Sequence, residues 1–282
     1  MGRNARPMKD FSCSRMKQVS KTTELSRYHG RVALVTGGLG AMGLAIGRRL
    51  TEEGATVYLA DLTTDDGGRI AEAYAGVSLP KILTLDVSSA KSWEEAINMI
   101  IAESGALHLL VNNAGVITPV PQPITDIPLD EFHRVLKVNL DGVLLGTQAA
   151  LKAMKQGAGA AIVNLGSLAA YTGSADNGTY GVSKGAVRSL TKHAALSAAR
   201  NGHDVRINVV HPGYVWTPLV AAKAAGQFGT EDAAREAFSK MNPSGRIVEP
   251  CDVAAAIAFL GSSDARMIHG ADLVIDGGRL IQ

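Results

Sequence analysis

Four polar residues have the types and spacing needed to move a proton and a hydride together. Tyr180 and Lys184 lie four residues apart in a segment with a helical pattern, so their side chains share one helix face. Ser167 follows a strand-like run thirteen residues upstream, and Asn139 lies in an earlier helical segment. A phenol is neutral at pH 7 because its ordinary pKa is about 10, but a neighbouring ammonium favours the phenolate. Tyr180 can thus act as acid or base, with Lys184 lowering its pKa and Ser167 hydrogen-bonding the substrate oxygen.

A glycine-rich turn ahead of these residues predicts a dinucleotide site. The sequence Thr36-Gly37-Gly38-Leu39-Gly40-Ala41-Met42-Gly43 follows the first strand-like run and opens a helical pattern. Glycines let main-chain N–H groups approach a pyrophosphate, and a helix N-terminus favours its negative charge. The next run ends at Asp61, whose carboxylate can bind the adenosine ribose hydroxyls and would repel a 2′-phosphate. We therefore expect NAD in preference to NADP, bound at Gly37, Gly40, Met42, Gly43, Asp61 and Leu62.

Strand-like and helical segments alternate along the chain. Short runs rich in Val, Ile and Leu lie at 31–36, 56–60, 81–85, 107–111, 161–165, 205–210 and 272–276. Helical patterns lie between them, as at 41–53, 89–104, 128–155 and 179–200. Such runs are typical of strands buried on both faces, and the alternation indicates βαβ units. The sequence predicts an α/β fold in which residues 30–282 form one Rossmann-type domain, a doubly wound parallel sheet of about seven strands with helices on both faces.

One segment breaks this alternation. Residues 214–249 carry several Pro and Gly around short helical pieces. In an open α/β sheet, ligands bind outside the carboxyl ends of the strands. We expect this segment to form a lid there.

Charge and composition narrow the function classes. The net charge is +2, but residues 1–29 hold seven Lys and Arg against Asp10 and Glu24, which leaves −3 for the rest. We interpret residues 1–29 as a basic, flexible and dispensable extension, and the folded part lacks the basic field that nucleic acid would require. No apolar run approaches the roughly 20 residues of a membrane span. Cys13 and Cys251 lie far apart and favour a reducing cytoplasm over a disulfide framework, while the scattered acidic residues indicate no metal site.

Taken together, these motifs resemble the short-chain dehydrogenase/reductase family. Its motifs occur in order and spacing as Thr36-Gly37…Gly43, Asn112-Asn113-Ala114-Gly115, Ser167, Tyr180-Gly-Val-Ser-Lys184 and Pro212-Gly213. The resemblance covers about residues 30–282. It departs at Ala41, where the family pattern has Gly, and we expect only slightly altered packing there. The resemblance implies hydride exchange between a nicotinamide cofactor and an alcohol or ketone, with Asn139, Ser167, Tyr180 and Lys184 as the catalytic residues.

The same resemblance implies further cofactor contacts and an assembly. Asp86 and Val87 would flank the adenine. The cofactor would also contact Asn113, Ala114, Gly115, Tyr180, Lys184, Pro212, Gly213, Val215 and Thr217. Asn139 would hold a water that links Lys184 to solvent. Family members commonly pair through helices that correspond to 128–155 and 179–200, so we expect a homo-oligomer, a tetramer or a dimer.

The expected substrate wall is mostly apolar and aromatic. It comprises Leu168, Tyr171, Asn177, Thr179, Tyr214, Trp216, Val220 and Met241. Such a wall suits a hydrophobic secondary alcohol or ketone, including a cyclic or steroid-like one. A sugar or polyol would need more polar groups, and a 3-oxoacyl reductase would favour NADPH and a basic docking face. A non-catalytic NAD-binding scaffold or sensor is the alternative from another class, and His211 is either a packed loop histidine or a residue that tunes the nicotinamide pocket.

Overall fold

The chain forms one parallel sheet in a computed structural model that describes residues 26–154 and 159–282. Its strands are β1 (Val32–Thr36), β2 (Thr56–Asp61), β3 (Lys81–Thr84), β4 (Leu109–Asn112), β5 (Ala160–Leu165), β6 (Val205–Pro212) and β7 (Asp272–Ile275). Their order across the sheet is β3-β2-β1-β4-β5-β6-β7. The order reverses between β1 and β4, which creates the crevice where ligands of open α/β sheets bind.

Helices cover both faces of the sheet, as the alternation predicted. They are α1 (Ala41–Glu52), α2 (Arg69–Ala73), α3 (Ala90–Ser104), α4 (Leu129–Leu136), α5 (Gly142–Ala153), α6 (Gly178–Arg200), α7 (Pro218–Phe228), α8 (Glu231–Lys240) and α9 (Pro250–Gly261). The predicted α/β class, single Rossmann-type architecture and seven-stranded parallel sheet are confirmed. Within the described ranges, none of these helices is both long and apolar enough to cross a membrane.

The central strands are largely apolar because successive side chains enter two different cores, whereas the edge strands β3 and β7 are less buried. In β1, Ala33 and Val35 contribute to the core beneath α1 and α9. Val32 and Leu34, which alternate with them, contribute to the core beneath α3 and α5 on the opposite face. Burial on both faces explains the continuous Val, Ile and Leu runs that identified the strands.

The helix predicted over 128–155 is interrupted. A π turn over Lys137–Asp141 separates α4 from α5. Asn139 is fully buried inside this turn, and its amide bonds the main chain of Val116 after β4. A π turn inside a helix often lies at a functional site, and this one coincides with a predicted catalytic residue.

The packed chain begins before Gly30. Tyr28 is fully buried, and its hydroxyl donates a hydrogen bond to the Ala258 carbonyl at 2.7 Å. Arg27 forms an ion pair with Glu53 at 2.7 Å. Arg27 and Tyr28 therefore belong to the folded domain rather than to the predicted extension, because they tie α1 and α9 together. The rest of that predicted extension, residues 1–25, lies outside the described residues.

Candidate active site

The turn between β1 and α1 leaves no room for a side chain at Gly37, Gly38 or Gly43, and a Cβ at Gly38 would lie 2.7 Å from the Leu59 Cβ. Gly37 has φ of +61°, and a Cβ there would lie 2.9 Å from the Ala114 Cα. A Cβ at Gly43 would lie 2.3 Å from the Gly37 carbonyl oxygen. Leu44 donates the first helical hydrogen bond, to Gly40, so the N–H groups before it stay outside the helical pattern. This steric cradle and these main-chain donors fit the pyrophosphate of a dinucleotide.

The first residues of α1 adapt to this role. Ala41 stands where the family pattern has glycine. It is the first residue of α1, and it is half-buried. Met42 packs its side chain against the core beneath α1, so only its main chain faces the turn. Both N–H groups belong to the first helical turn, whose donors have no partner within the helix.

Asp61 faces the glycine-rich turn. Its Oδ2 accepts a hydrogen bond from the Leu39 N–H at 3.1 Å, and its Oδ1 accepts one from the Leu62 N–H at 2.9 Å. Each carboxylate oxygen keeps a further lone pair. The Leu62 side chain is exposed and brings no positive charge to this end of β2. The arrangement fits two ribose hydroxyls.

Asp86 and Val87 follow β3 and differ in their surroundings. Asp86 is exposed, and its Oδ1 accepts hydrogen bonds from the Ser88 N–H and hydroxyl at 2.9 and 2.8 Å. These bonds lower the pKa of the Asp86 carboxyl. Val87 is buried against Gly142, where a Cβ would lie 2.9 Å from the Val87 side chain. The adenine contact expected of both residues stays a prediction.

Asn113 joins the ends of β1 and β4. Its Nδ2 donates to the carbonyls of Thr36 and Gly37 at 2.8 and 3.1 Å. The Thr36 hydroxyl in turn accepts from the N–H groups of Asn113 and Ala114, both at 3.0 Å. Asn113 therefore stabilises the sheet next to the glycine-rich turn, and its expected cofactor contact stays a prediction.

Lys184 is buried beneath the carboxyl edge of the sheet. Only 5% of it is exposed, and burial lowers its pKa from 10.5 to about 8. Its Nζ donates to the Leu165 carbonyl at 2.8 Å and lies 5.6 Å from the centre of the Tyr180 ring. A Cβ at Gly115 would lie 3.7 Å from that Nζ, so the chain after β4 passes directly beside the ammonium.

Tyr180 and Ser167 meet on the other side of this lysine. Burial raises the pKa of the Tyr180 phenol, and a side-chain hydrogen bond with Ser167 lowers it. The Ser167 hydroxyl also accepts the Ala169 N–H at 3.2 Å. The helix α6 carries Tyr180 and Lys184 on one face, while Ser167 follows β5, so the three predicted catalytic side chains are brought together.

Asn139 is connected to the catalytic residues through hydrogen bonds to the main chain of Val116 and to the Ser183 hydroxyl. Its Oδ1 accepts the Val116 N–H at 2.8 Å, and its Nδ2 donates to the Val116 carbonyl at 2.9 Å. The same Nδ2 donates to the Ser183 hydroxyl at 3.1 Å, next to Lys184 in α6. The amide thereby fixes the segment after β4 against α6. The Asn139 side-chain amide is occupied by these three hydrogen bonds, and the expected water contact stays a prediction.

His211 holds Ser167 through a contact that the sequence did not reveal. The His211 ring is fully buried, with Nδ1 3.2 Å from the Ser167 N and Nε2 3.2 Å from the Asp272 Oδ1. Burial lowers the pKa of His211, which favours the neutral ring. In that form Nε2–H donates to Asp272 and Nδ1 accepts the Ser167 N–H. Asp272 also pairs with Arg188 and Lys192 at 3.1 and 2.7 Å, so the histidine is anchored.

The segment after β6 borders the same edge. Pro212 ends β6, and the Gly213 N–H donates to the Ile275 carbonyl at 2.8 Å. Val215 is buried and bridges to Val248. The Thr217 hydroxyl accepts the Val220 N–H at 3.3 Å at the start of α7. Its expected nicotinamide contact would therefore compete with a helix-capping bond, and the nicotinamide contacts of this segment stay predictions.

A cavity of about 880 Å³ opens beside Ser167 and Tyr180. It is also lined by Leu168, Ala169, Thr172, Gly173, Ser174, Asn177, Gly178, Gly181, Val182, Gly213, Tyr214, Arg279, Leu280 and Gln282. Three of the predicted wall residues are therefore present, namely Leu168, Asn177 and Tyr214. The C-terminal residues were missed, although β7 ends at the same carboxyl edge and its continuation had to emerge there.

The other predicted wall residues lie elsewhere. Trp216 is buried in a separate small core with Val220 and Phe238, because α7 and α8 need apolar side chains between them. Tyr171 packs edge-on against His211 at 4.9 Å and lies beneath Arg188. Thr179 is buried, and Met241 uses its carbonyl to accept from Arg279 at 3.0 Å. Tyr171, Trp216 and Val220 are therefore not among the residues that line this cavity, and their contact with the substrate stays a prediction.

Comparisons with known proteins agree with this geometry. Residues 38–279 match the family described as Enoyl-(Acyl carrier protein) reductase. The chain is 37% identical over 259 residues to the NADP-dependent (R)-specific alcohol dehydrogenase of Lentilactobacillus kefiri, covering 91% of this chain and 99% of that one. It is 35% identical over 252 residues to the 3-alpha-(or 20-beta)-hydroxysteroid dehydrogenase of Mycobacterium tuberculosis, covering 89% and 90%. Ligand-free Thermoplasma acidophilum aldohexose dehydrogenase superposes with a TM-score of 0.80 at 30% identity, covering 92% and 97%.

Sequence, topology and site geometry therefore lead to the same family. The relatives match almost the full length of the described domain, and the matched region contains the glycine-rich turn, Ser167, Tyr180 and Lys184. This chain belongs to the short-chain dehydrogenase/reductase family, and it is an oxidoreductase of that family.

Proposed function

We propose that the protein is an NAD-dependent dehydrogenase that oxidises hydrophobic secondary alcohols and, in reverse, reduces the corresponding ketones. The observation that carries this proposal is the convergence of Ser167, Tyr180 and Lys184 beside a cavity of about 880 Å³. The cradle of Gly37 and Gly43 follows β1, which is separated from β5 by β4 alone, at the same edge of the sheet. A cofactor in this cradle and an alcohol in the cavity would meet at Tyr180.

The proton step belongs to the Tyr180 hydroxyl. In alcohol oxidation the phenolate accepts the hydroxyl proton of the substrate, and in ketone reduction the phenol returns it. Ser167 donates a hydrogen bond to the substrate oxygen, where negative charge develops. When bound, the nicotinamide accepts or supplies the hydride, and its oxidised ring adds a positive charge beside the phenol.

Lys184 supplies the second positive charge. With a pKa of about 8, it is mainly an ammonium at pH 7 and opposes the effect of burial on Tyr180. Its position beside Gly115 also suits a hydrogen bond to the nicotinamide ribose. We propose that the main chain at Asn139 holds a water that links this ammonium to solvent.

The cofactor preference rests on Asp61. A 2′-phosphate beside this carboxylate would be repelled, and neither Leu39 nor Leu62 offers a cation. The Lentilactobacillus kefiri relative is NADP-dependent. The proposal of NAD for this chain departs from that relative, and it rests on the residues at the end of β2.

The substrate class follows from the relatives and the cavity together. Two of the relatives are named for alcohols and hydroxysteroids, and Leu168, Val182 and Tyr214 line the cavity. A sugar is the second candidate, because an aldohexose dehydrogenase has the same fold and the Asn177 Oδ1 is buried without a partner among the described residues. A 3-oxoacyl reductase is the third, and the NAD preference argues against it. A non-catalytic NAD-binding scaffold or sensor would not need the Ser167–Tyr180–Lys184 arrangement.

We also propose a homo-oligomer and a cytoplasmic location. The helices α5 and α6 leave Leu144, Val182 and Leu196 exposed, and the core can use only one face of each helix. A tetramer or dimer mass in light scattering at micromolar concentration would support this, and a monomer mass would contradict it. Residues 214–249 are proposed to act as the lid, since their own small core lets them move as a unit.

A turnover assay tests the function. We expect reduced-cofactor absorbance to rise with cyclic and acyclic secondary alcohols and NAD, and to rise far less with polyols or aldohexoses. Turnover of sugars alone would move the assignment to the second candidate. NADH binding without turnover of any alcohol or ketone would favour the scaffold.

A further inference from the structure

The substrate cavity contains one cationic side chain that the reaction does not use. Arg279 follows β7 and lines the same cavity as Ser167 and Tyr180, together with Tyr214 and Gln282. It is the only Lys or Arg among the residues that line this cavity. A half-buried charge among side chains that are otherwise uncharged is costly unless something compensates it.

The known contacts of Arg279 use little of its hydrogen-bonding capacity. Its Nη1 donates to the Met241 carbonyl at 3.0 Å, and its guanidinium lies 5.5 Å from the centre of the Tyr214 ring. A guanidinium has five N–H donors. Across residues 26–154 and 159–282, the ion pairs involve other cations, and no carboxylate lies within 4.0 Å of Arg279.

Asp276, the acidic residue nearest to Arg279 in the sequence, already has hydrogen-bond partners for both of its carboxylate oxygens. Asp276 is buried, and its two oxygens accept the N–H groups of Gly278 and Leu280 at 2.8 and 2.7 Å. These bonds fold the chain after β7 into a tight turn that carries Arg279 towards the cavity. Tyr214 and Met241 then hold the guanidinium in place, which lowers the entropy lost when it binds a ligand.

We propose that Arg279 binds an anionic group of the substrate, so that the preferred substrate is a secondary alcohol, or its ketone, that carries a carboxylate away from the reacting carbon. This inference rests on the proposed function, since Tyr180 must act on the alcohol at the other part of the cavity. A planar guanidinium can bind a carboxylate through two parallel hydrogen bonds. The apolar residues between, including Leu168 and Leu280, would contact the carbon chain.

Paired substrates test the proposal. The probes are 3-hydroxybutanoate, 5-hydroxyhexanoate and 7-hydroxyoctanoate, each compared with its methyl ester, which has similar size and no charge. We expect one spacing at which the acid exceeds its ester in kcat/KM by roughly 10- to 100-fold, as a charged hydrogen bond allows. The inhibitor hexanoate, with reduced cofactor bound, gives a readout of binding without turnover.

Two variants separate charge from packing. Arg279→Met keeps an unbranched side chain against Tyr214 and should abolish the preference for the acid while leaving the esters within about threefold. Arg279→Lys keeps the charge and should retain part of the preference. Arg246→Met is the matched control, because Arg246 is an exposed cation outside the cavity lining, and it should leave the acid-to-ester ratio unchanged.

The outcomes distinguish the two proposals. If wild type oxidises neither esters nor acids with NAD or NADP, the proposed function fails. If it oxidises the esters but never prefers an acid, or if Arg279→Met lowers acids and esters alike, the anion site is wrong and the dehydrogenase assignment stands.

Discussion

The cofactor side and the substrate side of the candidate active site are formed by different kinds of chemical group. On the cofactor side, main-chain groups and glycines of β1 and its turn form the site, and a Cβ at Gly43 would lie 2.3 Å from a carbonyl oxygen. On the substrate side, ionisable side chains form it: Tyr180 is partly buried, and Lys184 and His211 are buried. Main-chain recognition restricts the local sequence to glycine, whereas a side-chain site requires residues that are distant in the chain. In the proposed function, the first half binds the cofactor and the second half performs the chemistry.

Replacement of Tyr180 by Phe should separate these halves most clearly. Tyr180→Phe keeps the ring and removes only the transferable proton, so kcat should fall by roughly a thousandfold or more. The dissociation constant of NADH should change by less than about threefold. Steady-state kinetics across pH and fluorescence titration of NADH measure the two effects.

The exposed Tyr214 provides the control, since Tyr214→Phe should keep most of the activity. If Tyr180→Phe retained more than a tenth of the wild-type kcat at saturating substrate, Tyr180 would not be the acid/base.

The parts of the site that could be predicted from the sequence are those that local constraints determine. Gly37 and Gly43 could be predicted because Gly37 has a left-handed φ and Gly43 lies against the Gly37 carbonyl, and both constraints act within the turn. The pairing of Tyr180 and Lys184 could be predicted from the sequence because both residues lie on one face of a helix with a fixed spacing. The central strands were located because burial on both faces leaves long apolar runs, and the less buried edge strands β3 and β7 were located by shorter runs of the same residue types.

The remaining residues depend on tertiary contacts that no local pattern encodes. Trp216 was expected to line the substrate wall, but it packs between α7 and α8 because an aromatic residue suits either environment. The bonds between His211 and Asp272 join residues 61 positions apart. Arg279 reaches the cavity only because a turn around Asp276 directs it there.

Cofactor choice can be altered without touching the catalytic half. Wild type should favour NAD over NADP by at least about tenfold in kcat/KM, because a 2′-phosphate would meet Asp61 at short range. The paired change Asp61→Ser with Leu62→Arg removes the repulsion, supplies a phosphate partner and should reverse or strongly reduce that preference.

Kinetics with both cofactors measure the ratio. Leu62→Arg alone is the control and should move the preference less, since the carboxylate remains. A wild type that already prefers NADP would show that Asp61 does not face the ribose.

The positioning of Ser167 should respond to His211. His211→Phe leaves the Ser167 N–H without its acceptor, so kcat should fall by roughly tenfold through misplacement of the serine hydroxyl. His211→Asn can place its Oδ1 near the original Nδ1 and should restore part of the rate. The NADH dissociation constant should stay within about twofold for both variants.

A loss of kcat that His211→Asn partly restores, with NADH binding unchanged, is the result expected if His211 positions Ser167. Equal losses of kcat in the Phe and Asn variants, or an equal weakening of NADH binding, would indicate a general structural role for His211 instead.

Replacement of Lys184 should show that its buried ammonium group destabilises the folded state. Burial lowers its pKa from 10.5 to about 8, so folding is opposed while the lysine is protonated. At pH 7 the shift corresponds to about 3 kcal/mol at most, and loss of the hydrogen bond to Leu165 offsets part of it. Lys184→Met should therefore raise the free energy of unfolding by about 1–2 kcal/mol while activity is lost.

The pH dependence gives this prediction its sign. The folded pKa lies below the unfolded value of 10.5, so the unfolded chain binds more protons between pH 8 and 10.5, and wild-type stability gains on the variant over that window. Urea unfolding without added cofactor at pH 7 and pH 10 should show the advantage of Lys184→Met shrinking as pH rises. Lys192→Met removes a partly exposed lysine of the same helix and should show no such change. A variant less stable than wild type at pH 7 would mean that the Leu165 bond outweighs the buried charge, and the active site would then stabilise the fold on both sides.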